Sequence, residues 1–391
     1  MLKNRSTLRV ADRRRRRLVA ALYLGGMLGP FGTMVVLPIF PELRETFDAS
    51  SAAIGWSLSA YLFPMAALLL ISGTVGERMG RRRCVRTSYA VYFAGTVMAA
   101  LAPSLAVFLT GRVIMGASSA FVTPLLVAGL GDIVPPDRMG KALGTYLAFQ
   151  AAGGVLAPMA GGLAGEVNWR FAFAAVALLA ALLWTSPPSG EPRPDAEAPP
   201  WRPLLSRRVG LITLASLSAQ AGPAGVNYLV SLKIRDVLGQ SASRAGLVLV
   251  IGSLAVAVAS RRGGGLVDRF GPRTVGLSST VVAGVVALAM GWIGGIWSLT
   301  AALAISSVAS ALLFVGVFSL ASNAVEGNRA GALSVGLSGR FGGLALSPLM
   351  WVPVFEIDPA YAFVGAASLS VVTLFAFARS PSPVPGESTG Q

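Results

Sequence analysis

The sequence predicts an all-α membrane protein of twelve transmembrane helices in two pseudo-symmetric six-helix halves. Three observations predict it. Hydrophobic residues fill 54% of the 391 positions and charged residues 13%, about half the charged share of a soluble domain. A ten-residue signature occurs twice, as Gly73-Thr-Val-Gly-Glu77-Arg78-Met-Gly80-Arg81-Arg82 and as Gly264-Gly-Leu-Val-Asp268-Arg269-Phe-Gly271-Pro-Arg273, close to half a chain length apart. Basic residues gather in every second connector between apolar runs, the distribution expected when those connectors face the cytoplasm.

The apolar runs fall at 18–40, 52–75, 84–102, 104–131, 140–165 and 170–186, then at 209–233, 243–262, 274–294, 297–322, 329–354 and 360–379. Most are long enough to cross a hydrocarbon core. The first follows Arg13–Arg17 and exceeds the 7–15 residues of a signal core. It also lacks a small-residue cleavage site, so it reads as an uncleaved span with its arginines on anionic headgroups. The expected organisation is a basic cytoplasmic tail (1–17), a first six-helix half (18–186), a cytoplasmic linker (187–208), a second half (209–379) and a disordered cytoplasmic tail (380–391). The linker carries Pro187, Pro188, Pro192, Pro194, Pro199 and Pro200, which favour a loose extended segment.

The repeat extends beyond the signature. Gly29-Pro30-Phe-Gly32 aligns with Gly222-Pro223-Ala-Gly225, and Gly153-x3-Ala157-Pro158 with Gly343-x3-Ser347-Pro348. Phe171-Ala-Phe173 aligns with Tyr361-Ala-Phe363. Several matches in one order at nearly one offset indicate a parallel duplication.

Charge and composition also exclude. The net charge of +15 could suggest nucleic acid, but its alternation between connectors fits membrane topology, so no nucleic-acid partner is expected. The same alternation places both termini in the cytoplasm of a multi-pass protein of a bacterial inner (plasma) membrane. Histidine is absent, which removes imidazole as metal ligand or proton relay. Cys84 is the single cysteine, so no intramolecular disulfide forms. No cofactor, metal or enzymatic activity is expected.

These residues resemble the major facilitator superfamily over roughly 18–380. The duplicated signature resembles its G-x-L-x-D-R-x-G-R-R motif, with Glu77 for the acid and Val75 for the leucine. The resemblance implies a gating latch formed by Gly73, Glu77, Arg78, Gly80, Arg81 and Arg82, with Asp268, Arg269, Gly271 and Arg273 in the second copy. A carboxylate at a helix end can pair with neighbouring arginines there and release them in another state. The alternative is a plain topological anchor. Arg112-Val-Ile-Met115-Gly116 resembles a second motif, R-x-x-Q-G, whose arginine is associated with proton coupling. The alternative is an arginine that satisfies backbone carbonyls. In the fifth span Gly144, Gly153, Ala157-Pro158 and Gly161-Gly162 resemble the antiporter motif, a stack of small residues that lets helices approach closely. Phe31-Gly32-x5-Pro38-Ile39-Phe40-Pro41 resembles a pattern of twelve-helix drug:proton antiporters.

The resemblance implies a secondary active transporter, working by alternating access as a monomer, that exports drugs or antibiotic-like small molecules in exchange for protons. Alternatives are a transporter of a specific small anion or metabolite and, from another class, a non-transporting membrane sensor or scaffold. One departure stands out. No Asp or Glu lies inside a span, and Arg112, Asp132 and Glu166 are left as coupling candidates. Arg340 lies within an apolar segment, which suggests an electropositive cavity preferring neutral or anionic compounds; the alternative is an arginine near a helix end that binds lipid or a loop carboxylate. The other cavity candidates are Gln150, Gln220, Asn227, Tyr23, Tyr146, Tyr228, Met34 and Trp56.

Overall fold

Backbone amides and carbonyls in lipid find no water, so an apolar chain satisfies them by forming long helices. The computed structural model describes residues 2–135, 138–188, 190–191, 202–322, 324–325 and 329–380, with only the backbone described at 2–17, 140, 329 and 330. Of the predicted disordered tail (380–391) only Ser380 is described, and most of the linker lies outside the described residues.

The first apolar run forms α1 (Leu2–Met34), a 3-10 turn (Leu37–Ile39) and α2 (Phe40–Phe47). Then come α3 (Ser51–Met79), α4 (Arg81–Ala100), α5 (Leu105–Ile133), α6 (Met139–Gly165) and α7 (Arg170–Trp184). The second series is α8 (Arg207–Ala221), α9 (Asn227–Leu232) continuing as a π-helical turn (Lys233–Val237), α10 (Ala242–Phe270), α11 (Pro272–Met290), α12 (Ile296–Ser322), α13 (Arg329–Ile357) and α14 (Pro359–Arg379). Local chemistry sets several starts. Ser50, Ser104, Ser206 and Asp358 each accept a hydrogen bond from the first helical turn through the side chain.

Among the described residues eight helical stretches are long and apolar enough to cross a membrane. The other four predicted spans have visible reasons for falling short. Helix α4 opens on Arg81, Arg82 and Arg83; α7 has 15 residues. The run at 209–233 breaks between α8 and α9, and α13 carries Arg340 among glycines and serines.

Most of the ten-residue signature is helix: α3 continues through Met79, and only Gly80, with φ 88°, leaves the helix before α4 begins. In the second copy Gly271 (φ 80°) does the same between α10 and α11. Both φ values suit glycine. The backbone of 2–17 is helical, as α1 starts at Leu2.

The chain divides into two compact units, Met1–Ala198 with Gln240–Val250, and Pro199–Gly239 with Ile251–Gln391. In the first, Phe47, Phe108, Trp169 and Phe173 form an aromatic knot with centroids 5.4–5.9 Å apart. In the second, Ile212, Leu313, Val317, Leu320 and Phe377 pack α8, α12 and α14 together. Close approach in the first unit depends on glycine at Gly116, where an added Cβ would run into the Tyr61 carbonyl. Gly116→Ala is therefore expected to cost about 1–3 kcal/mol through overpacking. Gly144→Ala, in open space, should be neutral or gain up to ~1 kcal/mol of helix propensity. Thermal midpoints of the two purified variants in one detergent check both.

Candidate functional site

In the first unit the signature builds a charge cluster. Arg81 at the start of α4 pairs through Nε with Glu77 Oε1 at 2.9 Å, and its Nη1 contacts the carboxylate of Asp132 near the end of α5. The Arg81 side chain is only 7% exposed, against 41% for Asp132. Three helices are thus tied at one end by one guanidinium held between two carboxylates. Arg78 and Arg82 are exposed. The second copy keeps the turn without the cluster. Asp268 and Arg269 are exposed, Arg269 stacks on Phe270 at 5.1 Å, and Arg273 donates to the Ala378 carbonyl at the end of α14.

Arg112 is fully buried in α5. Its Nε donates to the Ser57 carbonyl at 2.8 Å and its Nη1 to the Gly32 carbonyl at 2.7 Å. The guanidinium lies 4.7 Å over the Tyr61 ring, whose hydroxyl donates to the Gly29 carbonyl at 3.3 Å. Tyr92 donates to the Leu28 carbonyl at 3.3 Å. Gly32 lies in the last turn of α1, where carbonyls lose their intrahelical partners. A charge inside an apolar span is costly, and here it is offset by two carbonyls and an aromatic face. Among the described residues Nη2 has no hydrogen-bond partner.

The small residues of α6 work on two sides. A Cβ at Gly153 or Gly161 would strike the α1 backbone at Met27 or Val35. One at Gly162 would strike Ala242 and Ser243 at the start of α10, and one at Gly246 would strike the Pro158 carbonyl. Ala157 and Pro158 are buried between them. Gly144 meets nothing within 4 Å and stands outside this packed face. At the end of the helix, Glu166 Oε1 accepts the Ser243 N–H at 2.9 Å, placing a carboxylate on the first turn of α10.

In the second unit the break after α8 is the counterpart of the break after α1. The Ala221 carbonyl accepts from Ser347 Oγ at 2.9 Å and Trp351 Nε1 at 2.6 Å, both on α13. Tyr228 donates to the Ser347 carbonyl at 2.7 Å. Gln220 is buried and Asn227 half-buried beside this break. Lys233, the last residue of the 209–233 run, is 3% exposed. Its Nζ donates to the Met290 and Gly291 carbonyls at the end of α11, each at 2.6 Å. Its place at the end of the largely apolar 209–233 run was the available signal.

Arg340 lies within α13 as expected, its guanidinium 3.7 Å over the Phe314 ring of α12. Of the remaining cavity candidates, Tyr23 stacks on Phe149 at 5.7 Å, beside Gln150 in sequence. Tyr146 is buried against Gly26, Met34 is half-buried and Trp56 is 48% exposed. The structure brings Glu77, Arg81 and Asp132 together. It leaves Trp56 on the surface. Tyr92, Ser347, Trp351 and Lys233 are the contacts that sequence reading missed.

The model of the Major Facilitator Superfamily matches residues 22–348 and again 212–391. The chain belongs to the major facilitator superfamily. Its eight long apolar helices among the described residues fit the multi-pass membrane architecture of that family. The drug efflux pump JefA of Mycobacterium tuberculosis is 31% identical over 173 residues, covering 44% of this chain and 34% of that protein. The MFS antiporter QDR3 of Candida albicans is 30% identical over 154 residues, covering 39% of this chain and 22% of that protein. The match thus spans about a third or less of these two relatives. The transporter YceJ of Bacillus subtilis is 26% identical over 306 residues, 75% of this chain and 78% of that one. In fold, the chain is similar to the nucleoside transporter NupG (TM-score 0.77, 16% identity, 93% of this chain and 99% of that one). It is also similar to a bacterial homologue of the human lysosomal transporter Spinster (TM-score 0.75, 21% identity, 93% and 95%).

Two outcomes follow from the geometry. Arg112→Met strands the Gly32 carbonyl and should cost about 1–3 kcal/mol, read as a lower thermal midpoint in detergent. Arg112→Lys should recover only part, since an ammonium cannot reproduce the fork. In a double-mutant cycle, Arg81→Ala and Asp132→Ala should be non-additive by about 0.5–3 kcal/mol; additivity would show that the contact carries no coupling.

Proposed function

We propose that this transporter is a proton-coupled exporter of drug-like or antibiotic-like small molecules. In this reading twelve spans form two six-helix halves (18–186 and 209–379) joined by the 187–208 linker, with both termini cytoplasmic. The observation that carries it is the α6 face: Gly153, Gly161 and Gly162 seat the helix directly on the backbones of α1 and α10. That is the tight contact the antiporter motif implies. Relatives named as a drug efflux pump, an MFS antiporter and a lincomycin resistance protein support the same direction.

Alternating access rocks one half against the other around a midplane site. Proton and substrate must each favour a different state for the two to be coupled. Carboxylates stand ready at opposite ends. Asp132 holds Arg81 at the proposed cytoplasmic side, where the cluster latches α3, α4 and α5. Glu166 holds the first turn of α10 at the proposed outer side. Protonation of Glu166 removes an anionic acceptor from the Ser243 N–H and loosens the α6–α10 contact.

Inside-out vesicles holding an acid-inside gradient test the reading. Addition of an exported drug should collapse the gradient, and vesicles lacking the protein should hold it. Glu166→Gln should reduce that collapse by roughly tenfold or more if the acceptor at α10 stabilises one state by ~1.5 kcal/mol or more. Accumulation of a labelled compound without any gradient collapse would overturn proton coupling while leaving export intact.

A further inference from the structure

We infer that Arg340 binds the carboxylate or sulfonate of an aromatic organic anion, so that the substrates of this transporter include that class. The inference rests on the transport reading above and does not depend on the coupling ion.

Depth is the first argument. Helix α13 runs from Arg329 to Ile357, and Arg340 sits within about 5 Å of its midpoint at 1.5 Å rise per residue. A charge at that depth faces protein interior or a water-filled cavity, because a lipid-facing position leaves it without polar neighbours.

The second argument is the missing counter-ion. In the second unit acidic residues of the helices occur only at their ends: Asp236 in the π-helical turn, Asp268 near the end of α10 and Glu356 near the end of α13. Helices α8, α9, α11, α12 and α14 contain none. Among the described residues no hydrogen-bond acceptor or carboxylate meets Arg340; its partners are Phe314 at 3.7 Å and Phe341 at 5.9 Å.

The contrast with Arg112 gives the third. Both guanidiniums lie over an aromatic ring. Arg112 is fully buried and has spent its Nε and Nη1 on carbonyls. Arg340 is only half-buried. Stacking on Phe314 covers one flat face and leaves the five in-plane N–H donors of the fork available. That array matches a planar or tetrahedral oxyanion taken in two-point fashion. Phe314 and Phe318, in edge contact at 4.4 Å and both half-buried, give an aromatic rim next to the charge. A ring attached to the anion would stack there, which favours an aryl oxyanion over an inorganic one.

The test measures binding to the purified full chain in detergent. The probes are 1-naphthoate, the uncharged 1-naphthamide, and sodium chloride alone, titrated calorimetrically. The wild type should bind 1-naphthoate at least roughly tenfold tighter than 1-naphthamide, the scale of a charged hydrogen-bond pair. Arg340→Gln should erase that difference while leaving naphthamide affinity unchanged, which also shows that the variant is folded. Arg340→Lys should keep part of the preference, and Phe314→Leu should weaken both aromatic probes. Ligand-free melting curves in the same detergent confirm folding where naphthamide binding is too weak to read. Equal affinity for the two probes, a naphthoate affinity unmoved by Arg340→Gln, or saturation by chloride with no naphthoate binding would each overturn the inference. Failure here with drug-driven gradient collapse intact would leave the export reading standing. Naphthoate binding without any proton movement would overturn the coupling and leave this site.

Discussion

The fold depends on how the ends of broken helices are satisfied away from water. A helix that stops inside an apolar layer exposes carbonyls that cost several kcal/mol each if left bare. Proline and glycine stop three helices here, and side chains from other helices meet the freed carbonyls. Arg112 meets the end of α1, Ser347 and Trp351 the end of α8, and Lys233 the end of α11. Arg170 reaches the Ala102 carbonyl past α4, and Arg273 the Ala378 carbonyl in α14. Cations at helix C-termini also complement the macrodipole. Part of the positive surplus that first suggests topology alone is therefore structural capping.

Capping and close packing support each other. The carbonyls of α1 are within reach of Tyr61 and Arg112 because Gly116 lets α5 approach α3, and Gly153 and Gly161 let α6 approach α1. A larger residue at any of these would lengthen the hydrogen bonds as well as crowd the backbone. Residues that a motif comparison treats as separate features thus share one packed region of the first unit. The face of α6 then continues past α1 to Ala242 and Ser243, so a change in the first turn of α10 is felt by the same helix that packs on α1.

Sequence alone located the apolar runs within a few residues, because length and hydropathy are additive along the chain. Glu77, Arg81 and Arg340 stood out in the sequence, since charges between or within apolar runs are conspicuous. Asp132 was legible as an acid near a membrane end, but its pairing with Arg81 was not, because 51 residues separate them. The surroundings of Lys233 were not legible: its charge suggests water, whereas two carbonyls at the end of α11 solvate it inside the protein. The tyrosines and Trp351 were hard to rank because aromatic residues fill apolar helices for packing as often as for hydrogen bonding. The signature looked like a loop because it is polar and glycine-rich, yet α3 runs 29 residues and carries most of the signature beyond its apolar part as helix.

The repeated halves share breaks but not their charges, and that asymmetry argues for a division of labour. Around Gly29-Pro30-Phe-Gly32 the polar contact is a buried arginine with two carbonyls and a tyrosine ring. Around Gly222-Pro223-Ala-Gly225 the same need is met by neutral donors: Ser347, Trp351 and, at 3.5 Å, Ser306 Oγ to the Pro223 carbonyl. The second unit therefore has no structural requirement for a buried guanidinium at its break. Arg340, which the Gly153/Gly343 alignment pairs with Gln150, is stacked on a ring and, among the described residues, holds no backbone carbonyl. Its charge bears a desolvation cost without a capping bond among those residues. An anionic partner is the simplest chemistry that would repay it.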